Sequence, residues 1–516
     1  MMMRSALLIL ILLAPLLAHG QYGWATTLEP SAEKLLVTDA LETPTGDVRL
    51  SLTAYGSIFD PFTPTTRSWV VDLSSSGEIQ GLAQVQAEPG RSVYVSDLKR
   101  LPGGELVMVS NSWLQSPISS FKILVHEVHA FDDLELSIAK DLGDSLRIWY
   151  TNSCQDQDGN LFILGSLIAG PGVLPNRLLL LRASPQDSIL ASSIQGYSTS
   201  MKIGRHAIPS RDSLMRVSMD GNLPGSPIGT ESFHRFTPQL EHVDAFALTS
   251  LSGTGAVQPI DSLMKDCLYM TGLAGDTFLV SGRFGNLEPE KPMRAALVRM
   301  APDGSYHGTF LPVSGYDDDY IAYRQGHDMT PDGKVVFAVL ENFVTNPLEV
   351  QMGMAPSRIH LYRLDTLLNV ECEYIVDGFA DNAYYFLTRI KATSDGGVLL
   401  MGSRRDLNTM AMPRGWIKKL DAEQCNPVGV EDLQQLRTAE VYPNPGHEGF
   451  TLLLSGPVVP GAHLMLHDAM GHLVREAPLQ HNTLQVDAGD LSTGLYVYRI
   501  LGRDGTMLGS GRWIKQ

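Results

Sequence analysis

The sequence predicts an all-β protein: a β-propeller of about seven blades followed by a small C-terminal β-sandwich. Two observations support this fold class. A turn rich in Asp and Gly followed by an apolar strand recurs with a period of roughly 50–60 residues, and helical periodicity is nearly absent. The best amphipathic candidate, residues 130–142, is interpreted as strand and loop. A content of 48 Gly and 30 Pro fits a chain with many turns.

Seven units of the body carry the repeat, beginning near residues 46, 103, 159, 212, 276, 333 and 396. In the clearest unit, Ser394-Asp395-Gly396-Gly397 leads into an apolar strand at 398–402, with a partner strand at 415–420. Gly adopts positive φ freely and Asp tolerates it, so this turn suits a tight hairpin. The unit near 212 is less regular, and its partner strand is expected near 242–248.

The last segment, 438–516, reads as a separate set of short strands. Pro443 and Pro445 exclude a helix at its start, because each fixes φ and lacks an N–H. Apolar residues then alternate with their neighbours, as half-buried strands do. The alternating positions include Phe450, Leu452, Leu454, Leu464, Leu466, Tyr496, Tyr498 and Ile500. About seven strands between turn signals predict a small antiparallel sandwich.

Several motifs in this segment resemble the C-terminal sorting domain (type A) of type IX, or Por, secretion cargo. They comprise the opening Tyr-Pro-Asn-Pro, a turn before a strand, a Gly-Leu-Tyr sequence and a basic end. The residues that carry them are Tyr442, Pro443, Asn444, Pro445, Gly471, Gly494, Tyr496 and Lys515. The resemblance implies a β-sandwich that the outer-membrane translocon recognises and that a surface sortase-like protease usually removes. The cargo is then released or linked to anionic lipopolysaccharide.

The N-terminus predicts a secretory signal peptide. Arg4 precedes an apolar run at 6–18, and Ala18-His19-Gly20 supplies small residues before a cleavage site. No other long apolar run suggests a membrane span. The predicted organisation is therefore a signal peptide (1–20), a propeller-like domain (21–428), a linker (429–437) and a sorting domain (438–516). The destination is export through the periplasm and across the outer membrane to the cell surface or the medium.

Charge and cysteine content limit the chemistry. A net charge of −17 argues against nucleic-acid binding, which needs a basic surface. Four cysteines lack metal-binding spacing, and in an oxidising compartment they could form two disulfides with three pairings. The four are Cys154, Cys267, Cys372 and Cys425. The pair Cys372–Cys425 is preferred from its position in the repeats, and free buried thiols remain the alternative.

Three motifs suggest catalysis or metal binding but lack the context that this chemistry requires. His126-Glu127-Val128-His129 places its histidines three apart in a strand-like run, whereas a zinc protease needs them four apart on a helix. Gly143-Asp144-Ser145-Leu146 resembles an esterase block without the parallel α/β setting. Asp317-Asp318-Asp319 could bind calcium, but a solvated loop is the simpler interpretation. No catalytic, cofactor or metal residue is predicted.

The sequence thus favours an exported propeller that binds an extracellular ligand, a glycan or a protein, through its variable loops. The loops that stand out are 222–239, 286–291 and 345–357. The alternative is a propeller-type hydrolase acting on glycans or peptides, since paired carboxylates need no sequence adjacency.

Overall fold

The computed structural model describes the chain in two compact units, Met1–Cys425 (the body) and Asn426–Gln516 (the tail). The described residues are 23–31, 33–55, 66–115, 118–142, 146–156, 158–169, 177–184, 188–196, 204–210, 212–219, 232–247, 264–273, 276–285, 294–312, 320–341, 355–409, 411–422, 426–427, 439–454, 461–468, 472–479, 481–501 and 507–516. The predicted signal peptide and linker lie outside these ranges.

The described residues of the body form seven antiparallel sheets, and the first described strand is β1 (Trp24–Leu28). Sheet 1 contains β2 (Leu35–Glu42), β3 (Val48–Ala54), β4 (Arg67–Leu73) and β5 (Ile79–Gln84). Sheet 2 contains β6 (Arg91–Arg100), β7 (Leu106–Gln115), β8 (Ile118–Ala130) and β9 (Asp133–Asp141). Sheet 3 contains β10 (Leu146–Gln155), β11 (Leu161–Ala169), β12 (Arg177–Ala183) and β13 (Ile189–Gly196). Sheet 4 contains β14 (Gly204–Pro209), β15 (Met215–Met219), β16 (Ser232–Phe236) and β17 (His242–Ala247).

The remaining three body sheets are also antiparallel. Sheet 5 contains β18 (Met264–Gly272), β19 (Phe278–Gly285), β20 (Arg294–Met300) and β21 (Tyr306–Phe310). Sheet 6 contains β22 (Tyr320–Ile321), β23 (His327–Met329), β24 (Val335–Glu341), β25 (Arg358–Leu364) and β26 (Val370–Asp377). After the short helix α1 (Gly378–Asp381), sheet 7 contains β27 (Ala383–Ala392), β28 (Val398–Asp406) and β29 (Arg414–Leu420), completed by β1. The two-residue strand β30 (Asn426–Pro427) comes next in the chain.

The sheets form a closed, propeller-like ring. The innermost strand of each sheet contacts the innermost strand of the next, through β2, β6, β10, β14, β18, β23 and β27, and β27 contacts β2 again. In sheet 6 both β22 and β23 pair with β24, and β23 makes the contacts around the ring. At the closure β1 is the outer strand of sheet 7, pairing antiparallel with β29 from Trp24–Lys419 to Leu28–Gly415. The two ends of the body chain therefore share one sheet.

Hydrophobic clusters fill the spaces between neighbouring sheets and hold the ring together. Strands alternate their side chains, and here both faces of many strands are apolar because each sheet packs on two neighbours. Phe162, for example, packs with Phe236 between sheets 3 and 4, while Ile163 packs with Ile123 between sheets 3 and 2. Burying one such side chain stabilises the fold by about 1.5–3 kcal/mol.

Each of the seven predicted repeat units falls within one sheet, and in six of them the two predicted strands pair directly with each other. The turn glycines Gly46, Gly104, Gly159, Gly333 and Gly396 all have positive φ. One pairing was wrong: β15 pairs with β16, whereas the expected segment near 242–248 is β17, the next strand outward. The pattern of β16 is hidden in the sequence because its buried Phe233 and Phe236 alternate irregularly with polar residues.

The tail has two antiparallel sheets. One has the order β31 (Ala439–Tyr442), β32 (Gly449–Leu454), β35 (Thr483–Asp487). The other has the order β34 (Leu473–Pro478), β33 (His463–His467), β36 (Gly494–Leu501), β37 (Met507–Lys515). A single cluster joins their apolar faces, with Phe450 and Leu452 from the first sheet and Leu464, Tyr498 and Trp513 from the second.

The cysteines and the helix content complete the description. Cys154 is a free thiol, and its burial raises the pKa of that thiol to about 12. Cys372 is disulfide-bonded; because Cys425 lies outside the described residues, the pair Cys372–Cys425 stays a prediction. Within the described ranges, no helix has the length and apolar character needed to cross a membrane.

Candidate functional site

Charged side chains from the first strands of the sheets meet at the centre of the ring. We call this group the axial cluster: Asp39 on β2, Asp97 on β6, Asp328 on β23, and Arg389 and Lys391 on β27. Asp39, Asp97 and Arg389 are fully buried. Charged residues are almost never buried without partners, so the cluster requires a full account of its contacts.

The buried charges neutralise one another. Arg389 lies between two carboxylates, with Nη1 3.2 Å from Asp39 Oδ2 and Nη2 2.5 Å from Asp97 Oδ1. Lys391 Nζ lies 2.6 Å from the other carboxylate oxygen of Asp39. Arg389 also donates to the carbonyl oxygen of Ser96 at 3.0 Å. Two cations thus balance two carboxylates, which is the condition under which such charges can remain inside a protein.

Each carboxylate of the axial cluster also links its own sheet to the next one. It accepts a hydrogen bond from a backbone N–H on the first strand of the following sheet. These bonds join Asp39 to Leu98 N (2.7 Å), Asp97 to Ser153 N (2.6 Å) and Asp328 to Ala392 N (2.9 Å). His206 accepts from Met270 N in the same way at 3.3 Å. The cluster therefore fastens neighbouring sheets around the axis.

A hydroxyl residue precedes the charged residue in three of these strands, at a β-bulge. The sequence pairs are Thr38-Asp39, Ser96-Asp97 and Thr388-Arg389, and the strand register shifts at each of them. Ser96 Oγ donates to Val109 O at 3.0 Å, and Thr388 Oγ1 donates to Met401 O at 2.8 Å. The bulge turns the charged side chain toward the axis, a common use of this irregularity.

The electrostatics hold these groups in fixed charge states. Burial alone would raise the pKa of Asp97, but Arg389 and the neighbouring cations lower it below its ordinary value. Burial lowers the pKa of Lys391, and Asp39 opposes that shift. Burial raises the pKa of Asp328, although the hydrogen bonds that it accepts from two backbone N–H groups act in the opposite direction. A general acid or base must reach a substrate proton, whereas Asp39 and Asp97 are fully buried and already bonded.

A second axial set is uncharged. The ring centroids of His206 and Tyr269 are 3.9 Å apart, and those of Tyr269 and His327 are 5.1 Å apart. His327 Nδ1 is 2.8 Å from Ser281 Oγ. Burial lowers the pKa of His327 to about 3 and that of His206 well below its usual range, so both imidazoles are neutral at physiological pH.

The motifs singled out in the sequence are not brought together by the fold. His126 and His129 lie on β8, a strand, where a spacing of three turns them to opposite faces; His126 is buried and His129 is exposed. Residues 143–145 and 317–319, and most of the three variable loops, lie outside the described residues. Among the residues that are described, no group of three His, Cys, Asp or Glu side chains is arranged to hold a metal ion.

A histidine on sheet 6 is held between two carboxylates. His360 Nε2 lies 2.9 Å from Glu341 Oε2, and Nδ1 lies 2.7 Å from Glu373 Oε1. Burial would lower the pKa of His360, but the two carboxylates together raise it. Because both ring nitrogens already face carboxylates, the imidazolium form is the one that this arrangement stabilises.

In the tail, the structure brings the opening and closing motifs together. Trp513 Nε1 donates to Pro443 O at 3.0 Å. The Asn444 side chain accepts from Ile514 N at 3.0 Å and donates to Arg512 O at 2.8 Å. The Tyr-Pro-Asn-Pro segment is thus bonded to the last strand, β37, across a separation of about seventy residues in the chain.

The ammonium group of Lys515 is surrounded by backbone carbonyl oxygens. Lys515 is only 8% exposed, and its Nζ donates to Ala488 O at 2.6 Å, Gly489 O at 2.8 Å and Leu491 O at 2.5 Å. Three carbonyl oxygens satisfy the three donors of an ammonium group. The basic residue therefore fixes the turn that precedes β36.

The other predicted motif residues differ in exposure. Tyr496 is buried and donates to Ser492 O at 2.7 Å, whereas Tyr442 is 60% exposed. Leu495 and Ile514 are register partners on β36 and β37, and both are more than 40% exposed. Gly494 begins β36, Pro445 follows the bonded Asn444, and Gly471 lies outside the described residues.

Comparisons with known proteins bear on both units. A family model described as "Secretion system C-terminal sorting domain" matches residues 440–510. The chain matches no curated protein. Among solved structures, an α-L-arabinanase from Penicillium chrysogenum has a TM-score of 0.43 at 11% identity, covering 78% of this chain and 100% of the other. A fungal alcohol oxidase of the AA5 family has a TM-score of 0.42 at 11% identity, with 96% and 99% covered. The leech intramolecular trans-sialidase has a TM-score of 0.41 at 11% identity, with 79% and 71% covered.

The sorting-domain match coincides with the segment in which the sequence motifs and the bonded chain ends were found. The likeness to solved structures is too low to transfer any activity, so the description of the body depends on its own strand pairing. The chain is cargo of the type IX secretion system, carrying a C-terminal sorting domain that directs it to the cell surface or out of the cell.

Proposed function

We propose that the body is a seven-bladed β-propeller that binds an extracellular ligand, and that the tail is a β-sandwich that delivers it. Seven sheets in a closed cycle and two tail sheets around one core support these assignments. Ligand binding rather than catalysis is the function that the geometry of the described residues favours.

The observation that carries the binding proposal is the state of the axial cluster. In a propeller hydrolase, polar groups would converge at the centre and reach a substrate. Here Asp39, Asp97 and Arg389 converge but are fully buried. Their carboxylates and cations bond one another and the backbone of the next sheet. These groups support the scaffold, and recognition falls to the surfaces between and above the sheets.

A direct experiment separates binding from hydrolysis. The chain from Gln21 to Gln516 is incubated with a broad panel of glycans and peptides, and products are followed by mass spectrometry. We expect retention of a ligand without turnover. Hydrolysis that is lost when a solvent-accessible Asp or Glu is changed to its amide would overturn the binding proposal.

The tail proposal has its own test. We expect a chain truncated before Thr438 to remain in the periplasm, because the type IX machinery recognises the tail. We also propose that a surface sortase-like protease removes the tail by cutting within 429–437. Normal surface delivery of the truncated chain would contradict the sorting role, and an uncut tail on the mature protein would contradict the processing step alone.

A further inference from the structure

A cleft opens between sheets 1 and 2, on the side away from the axis. Its volume is about 420 Å³, within the range of roughly 300–1,000 Å³ that is usual for small-molecule sites. We call it the β5–β8 cleft. The pocket described between sheets 6 and 7, by contrast, has a volume of only about 20 Å³. The cleft between sheets 1 and 2 is therefore the larger of these two pockets.

The cleft exists because the facing side chains change character along β8. Val128 belongs to the apolar cluster that seals sheets 1 and 2 together. Farther along the same face come His126, Leu124 and Lys122, all of which line the cleft. On the opposite wall the small side chains Ala83 and Ala87 leave the space unfilled.

Phe131 forms a wall of the cleft at its closed end. Its ring lies against the bare backbone of Gly81 on β5, where a Cβ atom would meet the ring at 2.3 Å. Leu134 and Leu136 on β9 extend this apolar surface. Leu136 is 50% exposed, so part of the wall is open to solvent.

Among the described residues, the imidazole Nδ1 of His126 has no hydrogen-bond partner. His126 is only 7% exposed, and its Nδ1 is buried without a hydrogen bond. A buried polar atom left without a hydrogen bond is energetically unfavourable, so a ligand that supplies the missing partner gains affinity. Burial also lowers the pKa of His126 to about 4, so the imidazole is neutral. A neutral imidazole can donate from one nitrogen and accept at the other.

Two cationic and two anionic side chains line the cleft, Lys122 and Arg91 with Glu88 and Asp132, so their formal charges cancel. Lys122 Nζ lies 3.2 Å from Glu88 Oε1. Arg91 donates to Ser112 Oγ at 2.9 Å and to the carbonyl oxygen of Ser120. A ligand with a strong net charge would have to break these pairs, so the cleft suits a neutral molecule.

The side chains that remain combine an aliphatic wall with hydrogen-bonding partners, namely two amides, the imidazole of His126 and the carboxylate of Asp132. Gln84, Gln86 and Asp132 line the cleft beside His126 and, like it, can bond to hydroxyl groups. Leu124 and Leu136 offer an aliphatic surface. A sugar presents both features, with hydroxyl groups around its edge and C–H groups on its face.

We propose that the β5–β8 cleft binds a neutral sugar of one or two rings. The ligand places hydroxyl groups against His126 and Asp132 and its C–H face against Leu124 and Leu136. This inference rests on the proposed binding function and gives it a location and a ligand class.

The test uses the chain from Gln21 to Gln516 and a defined set of neutral sugars. D-glucose, D-galactose, D-mannose, L-rhamnose, N-acetyl-D-glucosamine, maltose, cellobiose and lactose are titrated at millimolar concentrations, with saturation-transfer NMR and calorimetry as readouts. We expect at least one to bind saturably. His126→Leu should weaken that sugar at least tenfold, and Leu136→Trp, at a half-exposed position, should block the cleft without disturbing the core.

His129→Leu is the matched control, because it is the same residue type on the same strand but on the opposite, exposed face. It should leave the affinity unchanged within twofold. Sugar binding that survives Leu136→Trp overturns the cleft assignment while leaving the binding function intact. Binding of a peptide panel with no sugar bound has the same consequence. Turnover of the sugar instead overturns the binding function itself.

Discussion

Replacing Arg389 with Leu tests whether the axial cluster holds the ring together. The substitution removes both ion pairs of the guanidinium and its bond to Ser96 O. Asp39 keeps Lys391 at 2.6 Å, but Asp97 loses the cation that contacts it. Removing one partner of a buried pair costs about 3–5 kcal/mol, because the other charge stays buried and uncompensated. We expect a loss of that size in the free energy of unfolding.

A second substitution distinguishes the effect of the unpaired charge on Asp97 from the effect of losing the packing of the Arg389 side chain. In the double variant with Asp97→Asn the uncompensated charge is gone, while the amide oxygen can still accept from Ser153 N. The double variant should therefore recover part of the loss and end about 1–3 kcal/mol below wild type. A double variant less stable than Arg389→Leu alone would contradict the charge argument.

The assay is urea unfolding followed by tryptophan fluorescence, with Arg235→Leu as control. Arg235 also pairs with two carboxylates, Asp212 and Asp244, but all three side chains are partly exposed. The control should lose no more than about 1 kcal/mol. If Arg389→Leu loses no more than the control, the axial cluster does not fasten the sheets.

The same charge argument predicts how the stability difference between wild type and Arg389→Leu changes with pH. In wild type the pKa of Asp97 is lowered, so its contribution is present above the unfolded pKa of about 3.9 and is lost as pH falls through the lower folded value. In Arg389→Leu the ionised carboxylate of Asp97 is buried without its cation and destabilises the fold, and protonation of Asp97 removes this penalty. The stability difference between the two proteins should therefore be largest at neutral pH and shrink as pH falls.

Three further predictions concern other parts of the chain. Lys515→Met should lower the unfolding free energy of the tail by about 1.5–3 kcal/mol and reduce surface delivery, whereas Lys515→Arg should retain most of both; full stability of the Met variant would contradict the role of its three carbonyl contacts. His360→Gln should lower the free energy of unfolding of the body below pH about 6.5, because the raised pKa of His360 keeps the imidazolium between its two carboxylates there. This loss should fade as pH rises through that pKa. A loss in urea titrations that does not depend on pH would exclude the ion pairs as its cause. Gly402→Ala should cost at least about 1–3 kcal/mol, because a Cβ atom would lie 1.9 Å from a backbone carbonyl oxygen, while Gly272→Ala, in open space, should cost less; equal thermal midpoints for the two variants would show that the backbone relaxes.

Much of the architecture could be predicted from local pattern. The strand at 398–402 could be predicted because it follows an Asp-Gly turn and is apolar, and 415–420 because it is the next apolar run after a polar loop. The all-β class and the separate tail could be predicted for the same reason, since turns and alternation are local properties. The disulfide pairing could not, because it depends on which strands become neighbours.

The axial cluster was missed because its residues are far apart in sequence. Asp39 and Arg389 are separated by 350 positions, and nothing near either residue identifies the other. A local signal did exist: a hydroxyl residue followed by a charged one, inside an otherwise apolar strand, recurs as Thr38-Asp39, Ser96-Asp97 and Thr388-Arg389. The cleft was likewise invisible, since it depends on the gap between two sheets rather than on any motif.

The pairing of β1 with β29 has a consequence for how the body is made. The last sheet is incomplete until a strand from the beginning of the chain returns to it, so no part of the ring can be sealed before almost all of the body has been synthesised. Joining segments so distant along the chain is slow compared with forming a local hairpin. The same pairing places both body termini at one edge, so cutting away the tail would leave the clasp between Trp24 and Lys419 intact.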